Sequence, residues 1–382
     1  MDQQFALKWV RRNIDAFGGD DERVTIFGES AGGLSVLSNL ASPTAEHLFQ
    51  RGIVESGTYA QFQDYFDPNT VVPLATAEND GTLFVPAGTA LAAKVGCSSQ
   101  TAQCLRETPA ATLVKAQPPA ISIYPIIDGT VLTQNLDSTF ASGDFNRVPL
   151  INGMNHDEWR IFVAINNDLA GHPLTDAAYP DVTTGSAARL LRALLGPVSD
   201  SFVQLVLSKY PLSNYTPQPP GFQRAPLAQG AIGTDLFFAC TARNADLSLS
   251  KNVRTYAYEF NDETAPSFLP PLSFPLGDAH GIELQYLFDR TVIGITPTFT
   301  PDQQKLSDTM IRYWTHFAKT GNPNSGEEEE NQQEGADVEG VPYWPSYNKT
   351  GRFQSLVAPT PKRESDSSFD TDHKCSSLWN TF

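Results

Sequence analysis

The chain has 382 residues, of which 40% are hydrophobic and 10% aromatic, so it can bury a sizeable core and global disorder is excluded. Its 43 Asp and Glu against 26 Lys and Arg give a formal net charge of -17, which excludes nucleic acid as a partner because phosphate binding needs a basic surface. Since no run approaches eighteen apolar residues, we expect no integral membrane segment.

The first predicted element is an amphipathic helix. Ala6, Val10, Ile14 and Phe17 recur at spacings of four, four and three, which is the helical period. Residues 18–20 read Gly-Gly-Asp and supply a helix-ending turn. The pattern therefore predicts a helix that ends just before residue 18.

Strand signals then alternate with helical ones. Buried strands are predicted at 24–27 and 52–54, further strands at 148–151 and 253–260, and helices at 32–40 and 308–319. A polar loop is expected after residue 151. Strands separated by helices predict an α/β fold with a mostly parallel sheet. No domain boundary stands out, so residues 1–382 are predicted to form one domain, with 325–340 as a flexible acidic loop.

Residues 28–32 read Gly-Glu-Ser-Ala-Gly and match the pattern G-x-S-x-G between a predicted strand and a predicted helix. The two glycines let the backbone turn sharply, so the Ser30 hydroxyl stands clear at the carboxyl end of the strand. The backbone N–H of Ala31 then points at a developing oxyanion. This pattern predicts a nucleophile elbow, with Ser30 as the nucleophile and Ala31 in the oxyanion hole.

A serine nucleophile needs a histidine base that is held by a carboxylate. The chain has six histidines: His47, His156, His172, His280, His316 and His373. After an elbow of this kind, the acid and then the base follow the serine along the chain. His47 is too close to the elbow, whereas His280 lies on a glycine-flanked loop. The pattern narrows the choice of base without closing it.

A series of ordered motifs runs along nearly the whole chain. The motifs lie at 2–7, 9–10, 13–14, 17–20, 24–33, 42–43, 48–49, 56–57, 125–129, 155–158, 280–283, 317–324 and 343–345. Together they closely resemble the type-B carboxylesterase and lipase family, which includes cholinesterases. The resemblance implies an α/β-hydrolase fold, a mostly parallel central sheet flanked by helices. It also implies hydrolysis of a carboxylic ester.

The resemblance implies a Ser-Glu-His triad. Matched motif by motif, Glu158 is the acid and His280 the base for Ser30. Asp157 is the rival for the acid. The family usually has Gly where Trp159 stands. This difference is expected to change the shape of the pocket rather than the triad. No metal and no cofactor is implied.

The four cysteines also match the family. The resemblance implies a small disulfide loop between Cys97 and Cys104 and a long-range bond between Cys240 and Cys375. The alternative is buried free thiols. An even number of cysteines suits an oxidising compartment, where disulfides persist.

The beginning of the chain departs from the family. Family members start well upstream, with a signal sequence, the first strands and a Gly-rich loop that supplies the second oxyanion donor. Only 29 residues precede Ser30, so we expect an N-terminally truncated chain that lacks those strands and any signal peptide. Secretion is expected for the full-length protein, and the glycosylation sequons at Asn214 and Asn348 weakly favour it.

The predicted function is therefore cleavage of a small-molecule or lipid ester through an acyl-enzyme on Ser30. Glu29 and Glu283 either tune this site or are structural. One alternative is a catalytically impaired truncated product. The other is a non-catalytic binding protein of the neuroligin type, against which the intact set of Ser30, Glu158 and His280 argues.

Overall fold

A computed structural model describes residues 1–59, 91–98, 102–116, 125, 127–216, 221–288, 298–324 and 341–381. The chain divides into two compact units, Met1–Tyr59 with Thr139–Phe382, and Ala60–Ser138. One domain over 1–382 stays a prediction, and the acidic loop predicted at 325–340 lies outside the described residues.

One six-stranded sheet organises the larger unit, with its strands side by side in chain order. The strands are β1 (Thr25–Glu29), β2 (Arg51–Glu55), β3 (Leu150–Asn155), β4 (Thr255–Phe260), β5 (Arg352–Leu356) and β6 (Lys362–Ser365). Strands β1 to β5 are parallel, and β6 pairs antiparallel with β5. The predicted mostly parallel sheet is confirmed.

Helices flank the sheet of the larger unit, and others lie in the smaller unit. Those in the described residues are α1 (Asp2–Asn13), α2 (Ala31–Ala41), α3 (Ala102–Glu107), α4 (Ala110–Ala116), α5 (Leu136–Ser142), α6 (Arg160–Val163), α7 (Ser186–Leu195), α8 (Asp200–Lys209), α9 (Ala225–Thr234), α10 (Cys240–Leu249), α11 (Leu284–Leu287), α12 (Pro301–Thr320), α13 (Tyr347–Thr350) and α14 (Asp366–Asp372). The longest, α12, starts at a capping box formed by Thr300 and Gln303 and ends at Gly321, whose φ is 80°. Its local sequence therefore sets both of its ends.

The core lies at the middle of the sheet. Every residue of β3 and β4 is buried, because each strand has a neighbour on both sides and is covered on both faces. Tyr256 and Tyr258 of β4 meet the indole of Trp344 edge-on. At the sheet edge, β1 has no fully buried residue, and Phe27 is 57% exposed.

The helix predicted before residue 18 forms as α1 and a 3-10 turn at Ile14–Phe17; the buried residue of α1 is Gln4, and Phe17 is 72% exposed. Two sequence predictions need correction. The strand predicted as buried at 24–27 forms as β1 but lies at the edge of the sheet, so none of its residues is fully buried. The polar loop expected after 151 is instead the second half of β3, because a strand between two neighbours has partners for its backbone groups. Strands β5 and β6 had no recognised signal.

Both implied disulfides are present. Cys97 is bonded to Cys104, and Cys240 to Cys375. Among the described residues no single helix has the length and apolar composition to cross a membrane, although one bent helix pair meets that test by length and composition alone.

Candidate active site

Ser30 lies on a sharp turn between β1 and α2. Its backbone has φ 55° and ψ -117°, a conformation that residues other than glycine rarely adopt. The Ser30 N–H donates to the carbonyl of Glu55, at 2.8 Å. A Cβ on Gly28 would lie 2.4 Å from the carbonyl carbon of Gly32, so the turn closes only because residue 28 is glycine. The local sequence therefore forces Ser30 into this position.

Ala31 is the first residue of α2. The N–H groups of the first helical turn have no acceptor within the helix, and the positive end of the helix dipole lies there. The Ser30 carbonyl accepts from the N–H of Leu34, at 2.9 Å, which ties the elbow to that turn. The N–H of Ala31 thus adjoins the nucleophile at a site that favours negative charge.

Glu158 and His280 meet in the interior. Glu158 follows β3 and is fully buried, and its Oε2 lies 2.5 Å from Nδ1 of His280. Its other oxygen, Oε1, accepts from the Ser56 hydroxyl and, at 2.8 Å, from the N–H of Asn155. These donors fix the carboxylate, which in turn holds the proton of His280 on Nδ1 and leaves Nε2 as the basic nitrogen.

The Nε2 atom of His280 faces Glu29, whose Oε1 lies 3.1 Å away. Among the residues that the structure describes, no hydrogen bond joins the Ser30 hydroxyl to His280. Burial lowers the pKa of His280, but the Glu158 and Glu29 carboxylates outweigh it, so the pKa is raised. Burial also raises the pKa of Glu29, and His280 opposes that rise.

Two further buried carboxyl groups lie behind the site. Burial raises the pKa of Glu55 to about 7, although the indole N–H of Trp314 donates to its Oε1 at 2.7 Å. Burial likewise raises the pKa of Glu283, whose Oε2 accepts from the Asn155 amide. Sequence reasoning missed Ser56, Asn155 and Glu55 as site residues. Their position at the carboxyl ends of neighbouring parallel strands is the signal that could have found them.

Aromatic rings border His280 on one side. The Phe162 and Phe238 rings lie 5.5 and 5.1 Å from the imidazole. Trp159 packs against Phe162 at 4.7 Å and Phe237 at 5.2 Å. A Cβ on Gly233 would lie 2.0 Å from the indole of Trp159, so a glycine on α9 makes room for this ring. The site thus has an apolar wall beside the base.

Asp157, the rival acid, points elsewhere. Its Oδ2 lies 2.5 Å from Nη1 of Arg160, and its Oδ1 lies 3.3 Å from Nδ1 of His156. Burial would raise the pKa of Asp157, but the Arg160 and His156 charges lower it below its usual range. Of the two adjacent acids, the structure brings Glu158 to His280.

The other histidines lie outside this arrangement. His47 is exposed, and Nδ1 of His316 lies 2.8 Å from the carbonyl of Asn322. His373 is buried between Asp235 and Glu259, at 2.6 and 2.7 Å. Burial lowers the pKa of His373, but these two carboxylates outweigh it and raise the pKa to about 9.

Clusters of His and Asp side chains and the two predicted sequons lie outside this arrangement. In the part of the chain that the structure describes, atoms of a kind that can bind a cation lie within 4.8 Å of one another in two groups: His156, Asp372 and His373, and His156, Asp157 and Asp278. Asn214 is exposed. The Asn348 amide donates to the carbonyls of Ser250 and Val253 and accepts from the N–H of Thr255, so it anchors the start of β4.

Comparison with known proteins shows which family the chain matches. Residues 1–375 match the model of the carboxylesterase family. The chain is 30% identical over 367 residues to "Acylcarnitine hydrolase" of Mus musculus, covering 93% of this chain and 57% of that protein. It is 29% identical over 357 residues to "Cocaine esterase" of Homo sapiens, covering 93% of this chain and 58% of that protein.

A third relative is "Carboxylesterase 1D" of Rattus norvegicus, 30% identical over 382 residues, with 94% of this chain and 60% of that protein covered. The chain therefore spans less than two thirds of the length of these relatives. The family match agrees with the mostly parallel sheet and its flanking helices, which form an α/β-hydrolase fold. The chain belongs to the carboxylesterase family.

Proposed function

We propose that this protein hydrolyses carboxylic esters through an acyl-enzyme on Ser30, with His280 as the base and Glu158 as the acid. The observation that carries the proposal is the 2.5 Å contact between Nδ1 of His280 and Oε2 of the fully buried Glu158. A buried histidine aligned in this way can take the proton of a serine hydroxyl. The elbow supplies that serine on the same edge of the sheet.

In the first half of the reaction, Oγ of Ser30 attacks the ester carbonyl carbon and its proton passes to Nε2 of His280. The Nδ1 proton stays between His280 and Glu158, whose charge stabilises the imidazolium. The N–H of Ala31 donates to the oxyanion. As the tetrahedral intermediate collapses, Nε2 returns the proton to the departing alcohol.

In the second half, water attacks the acyl group on Ser30 while Nε2 of His280 takes a water proton. Collapse releases the carboxylic acid and returns that proton to Ser30. The resting contact between Nε2 and Glu29 has to give way to Ser30 before each proton transfer. Catalytic hydrogen bonds of this kind often tighten only when substrate is bound.

We propose that the preferred esters carry an apolar group beside the scissile bond. The wall of Trp159, Phe162, Phe237 and Phe238 supports this, because aromatic rings favour apolar groups over water. The named relatives are hydrolases and lend no support to a neuroligin-like binding role or to an impaired product. Secretion is proposed from the two disulfides, which persist in oxidising compartments.

The test is turnover of a short p-nitrophenyl ester by three variants. Ser30→Ala, His280→Ala and Glu158→Gln should each lower kcat/KM at least about a thousandfold, and the losses should not add because the residues act as one unit. Ser38→Ala, whose hydroxyl donates to the carbonyl of Leu34 within α2, is the matched control and should stay near wild type. Labelling of Ser30 by a fluorophosphonate is expected in the control and not in Ser30→Ala. Near-normal turnover in Glu158→Gln would show that the acid is misassigned.

A further inference from the structure

A second pair of acids lies beside the triad. Asp157 immediately precedes the triad acid Glu158, and Asp278 lies two residues before the triad base His280. Asp278 is fully buried, and Asp157 is 5% exposed. A carboxylate oxygen of Asp157 and one of Asp278 lie within 4.8 Å of each other. Each triad loop therefore carries an acid that meets the acid of the other loop.

Both cations beside the pair contact Asp157. Nη1 of Arg160 lies 2.5 Å from Oδ2 of Asp157, and Nδ1 of His156 lies 3.3 Å from its Oδ1. Within the described part of the chain, no hydrogen-bond donor reaches either oxygen of Asp278. Two ionised carboxylates facing each other in a buried site repel strongly, and such pairs are stabilised when one proton lies between them.

The loop that carries Glu158 and the loop that carries His280 pack closely against each other at Gly277. Gly277 has φ 65°, and a Cβ there would lie 2.2 Å from Oδ2 of Asp157 and 2.4 Å from Nη1 of Arg160. The loop of His280 therefore packs directly on the ion pair of the Glu158 loop. The N–H of His280 also donates to the carbonyl of Glu158, at 3.3 Å.

We propose that Asp157 and Asp278 share one proton, Asp278 donating to the Asp157 carboxylate, and that this acid pair positions the triad acid against the triad base. Both are positioning residues, because their contacts reach the reaction only through Glu158 and His280. The catalytic part rests on the proposed function, whereas the shared proton does not.

Other charged groups fit this protonation pattern. Burial raises the pKa of Asp278 well above its usual range, and the Asp157 charge raises it further, against the lowering effect of His156 and Arg160. Tyr286 packs near Asp278, but its hydroxyl donates its hydrogen bond to Asp262, at 2.6 Å, and not to Asp278.

The pH dependence has a definite sign. Because the pKa of Asp278 is raised in the folded state, that state holds the proton longer than the unfolded chain does. Stability conferred by the pair is thus fully present below the unfolded pKa and is lost as pH rises through the folded pKa. Above it, two negative charges push the loops apart, so kcat should fall over the same pH range.

The test compares Asp278→Asn with Asp278→Ala. The amide introduced by Asp278→Asn can donate to Asp157 as the protonated acid does but cannot ionise, so this variant should keep kcat within about threefold of wild type and show no fall at high pH. Asp278→Ala removes the donor and should lower kcat about ten- to a hundredfold with little change in KM, as expected when catalytic groups are slightly misplaced. Urea unfolding across pH should show a pH-dependent loss of stability in wild type that Asp278→Asn lacks.

The following outcomes would overturn the proposal. An Asp278→Asn variant as impaired as Asp278→Ala, or identical pH profiles of unfolding in wild type and Asp278→Asn, would rule out the shared proton. Turnover of Asp278→Ala within about threefold of wild type would rule out the positioning role. A stoichiometric metal ion in the purified wild type, with activity lost to a chelator, would assign this group to a cation instead. If Ser30→Ala keeps full turnover, the proposed function fails, yet the unfolding comparison still decides the proton.

Discussion

The two halves of the candidate site are built in different ways. The Ser30 elbow is assembled from residues 28–33, where Gly28 and Gly33 lie so close to other backbone atoms that a Cβ would overlap them. The Glu158–His280 pair joins loops far apart in the chain, and its geometry depends on buried partners such as Ser56 and Asn155. The elbow is therefore a local structure sensitive to backbone space, whereas the acid–base pair is a tertiary structure sensitive to hydrogen bonds and charge.

Breaking the elbow should have the largest effect. In Gly28→Ala the new Cβ would lie 2.4 Å from the backbone of Gly32. Because the overlapping atoms belong to the backbone, no side-chain rotation can relieve the overlap. We expect the free energy of unfolding to drop by about 2–4 kcal/mol and fluorophosphonate labelling of Ser30 to be lost. Urea unfolding and labelling measure the two effects.

The control for that variant is Gly32→Ala. A Cβ on Gly32 has no heavy atom within 4 Å, and alanine is the better helix former by about 0.5–1 kcal/mol. Stability should therefore stay unchanged or rise slightly. Equal losses in Gly28→Ala and Gly32→Ala would mean that backbone space does not govern the elbow.

Removing a donor to Glu158 tests the tertiary half. Ser56→Ala leaves Oε1 of Glu158 with the N–H of Asn155 alone, and a buried acceptor that loses a donor costs about 1–3 kcal/mol. Because the loosened carboxylate holds His280 less firmly, kcat should fall about ten- to a hundredfold with KM little changed. Steady-state kinetics on a p-nitrophenyl ester measure this.

Ser307→Ala is the matched control, a buried serine whose hydroxyl donates to the carbonyl of Tyr286 at 2.7 Å. It should lose a similar amount of stability and keep its kcat. A fall in kcat of the same size in both variants would attribute the Ser56→Ala effect to general destabilisation.

The smallest expected effect is a shift of the pH profile. His280 accepts a proton only when neutral, so kcat/KM rises with pH through the pKa of His280 in the free enzyme. The Glu29 charge, 3.1 Å from Nε2, helps to raise that pKa. Glu29→Gln removes the charge, so the ascending limb should move to lower pH.

Glu22→Gln, an exposed carboxylate whose ion pair is with Arg11, is the control and should leave the limb in place. If the rise of kcat/KM with pH in Glu29→Gln stays at the wild-type pH or moves to higher pH, Glu29 does not raise the pKa of His280.

Sequence reasoning found the parallel sheet and the elbow because both have local signals. Short apolar runs between helical stretches give the strands near the core, and G-x-S-x-G gives the turn. It missed β5, which pairs with the distant strand β4 as well as with β6, and it missed β6, a mostly exposed polar strand that carries no apolar run. The helical period of the apolar residues in the first segment does not show whether that face is buried, because burial depends on what packs against a helix, and Phe17 is 72% exposed.

The sequence by itself determined that residue 30 occupies a strained turn, because only glycine at 28 lets β1 pass directly into α2. It also contained both adjacent acids, Asp157 and Glu158, of which the family resemblance favoured Glu158 although the two side chains have the same chemistry. Only the tertiary structure decided that Glu158 meets His280 and Asp157 meets Arg160. The physical reason is burial: a carboxyl group taken out of water points to whichever donors the folded chain brings to it.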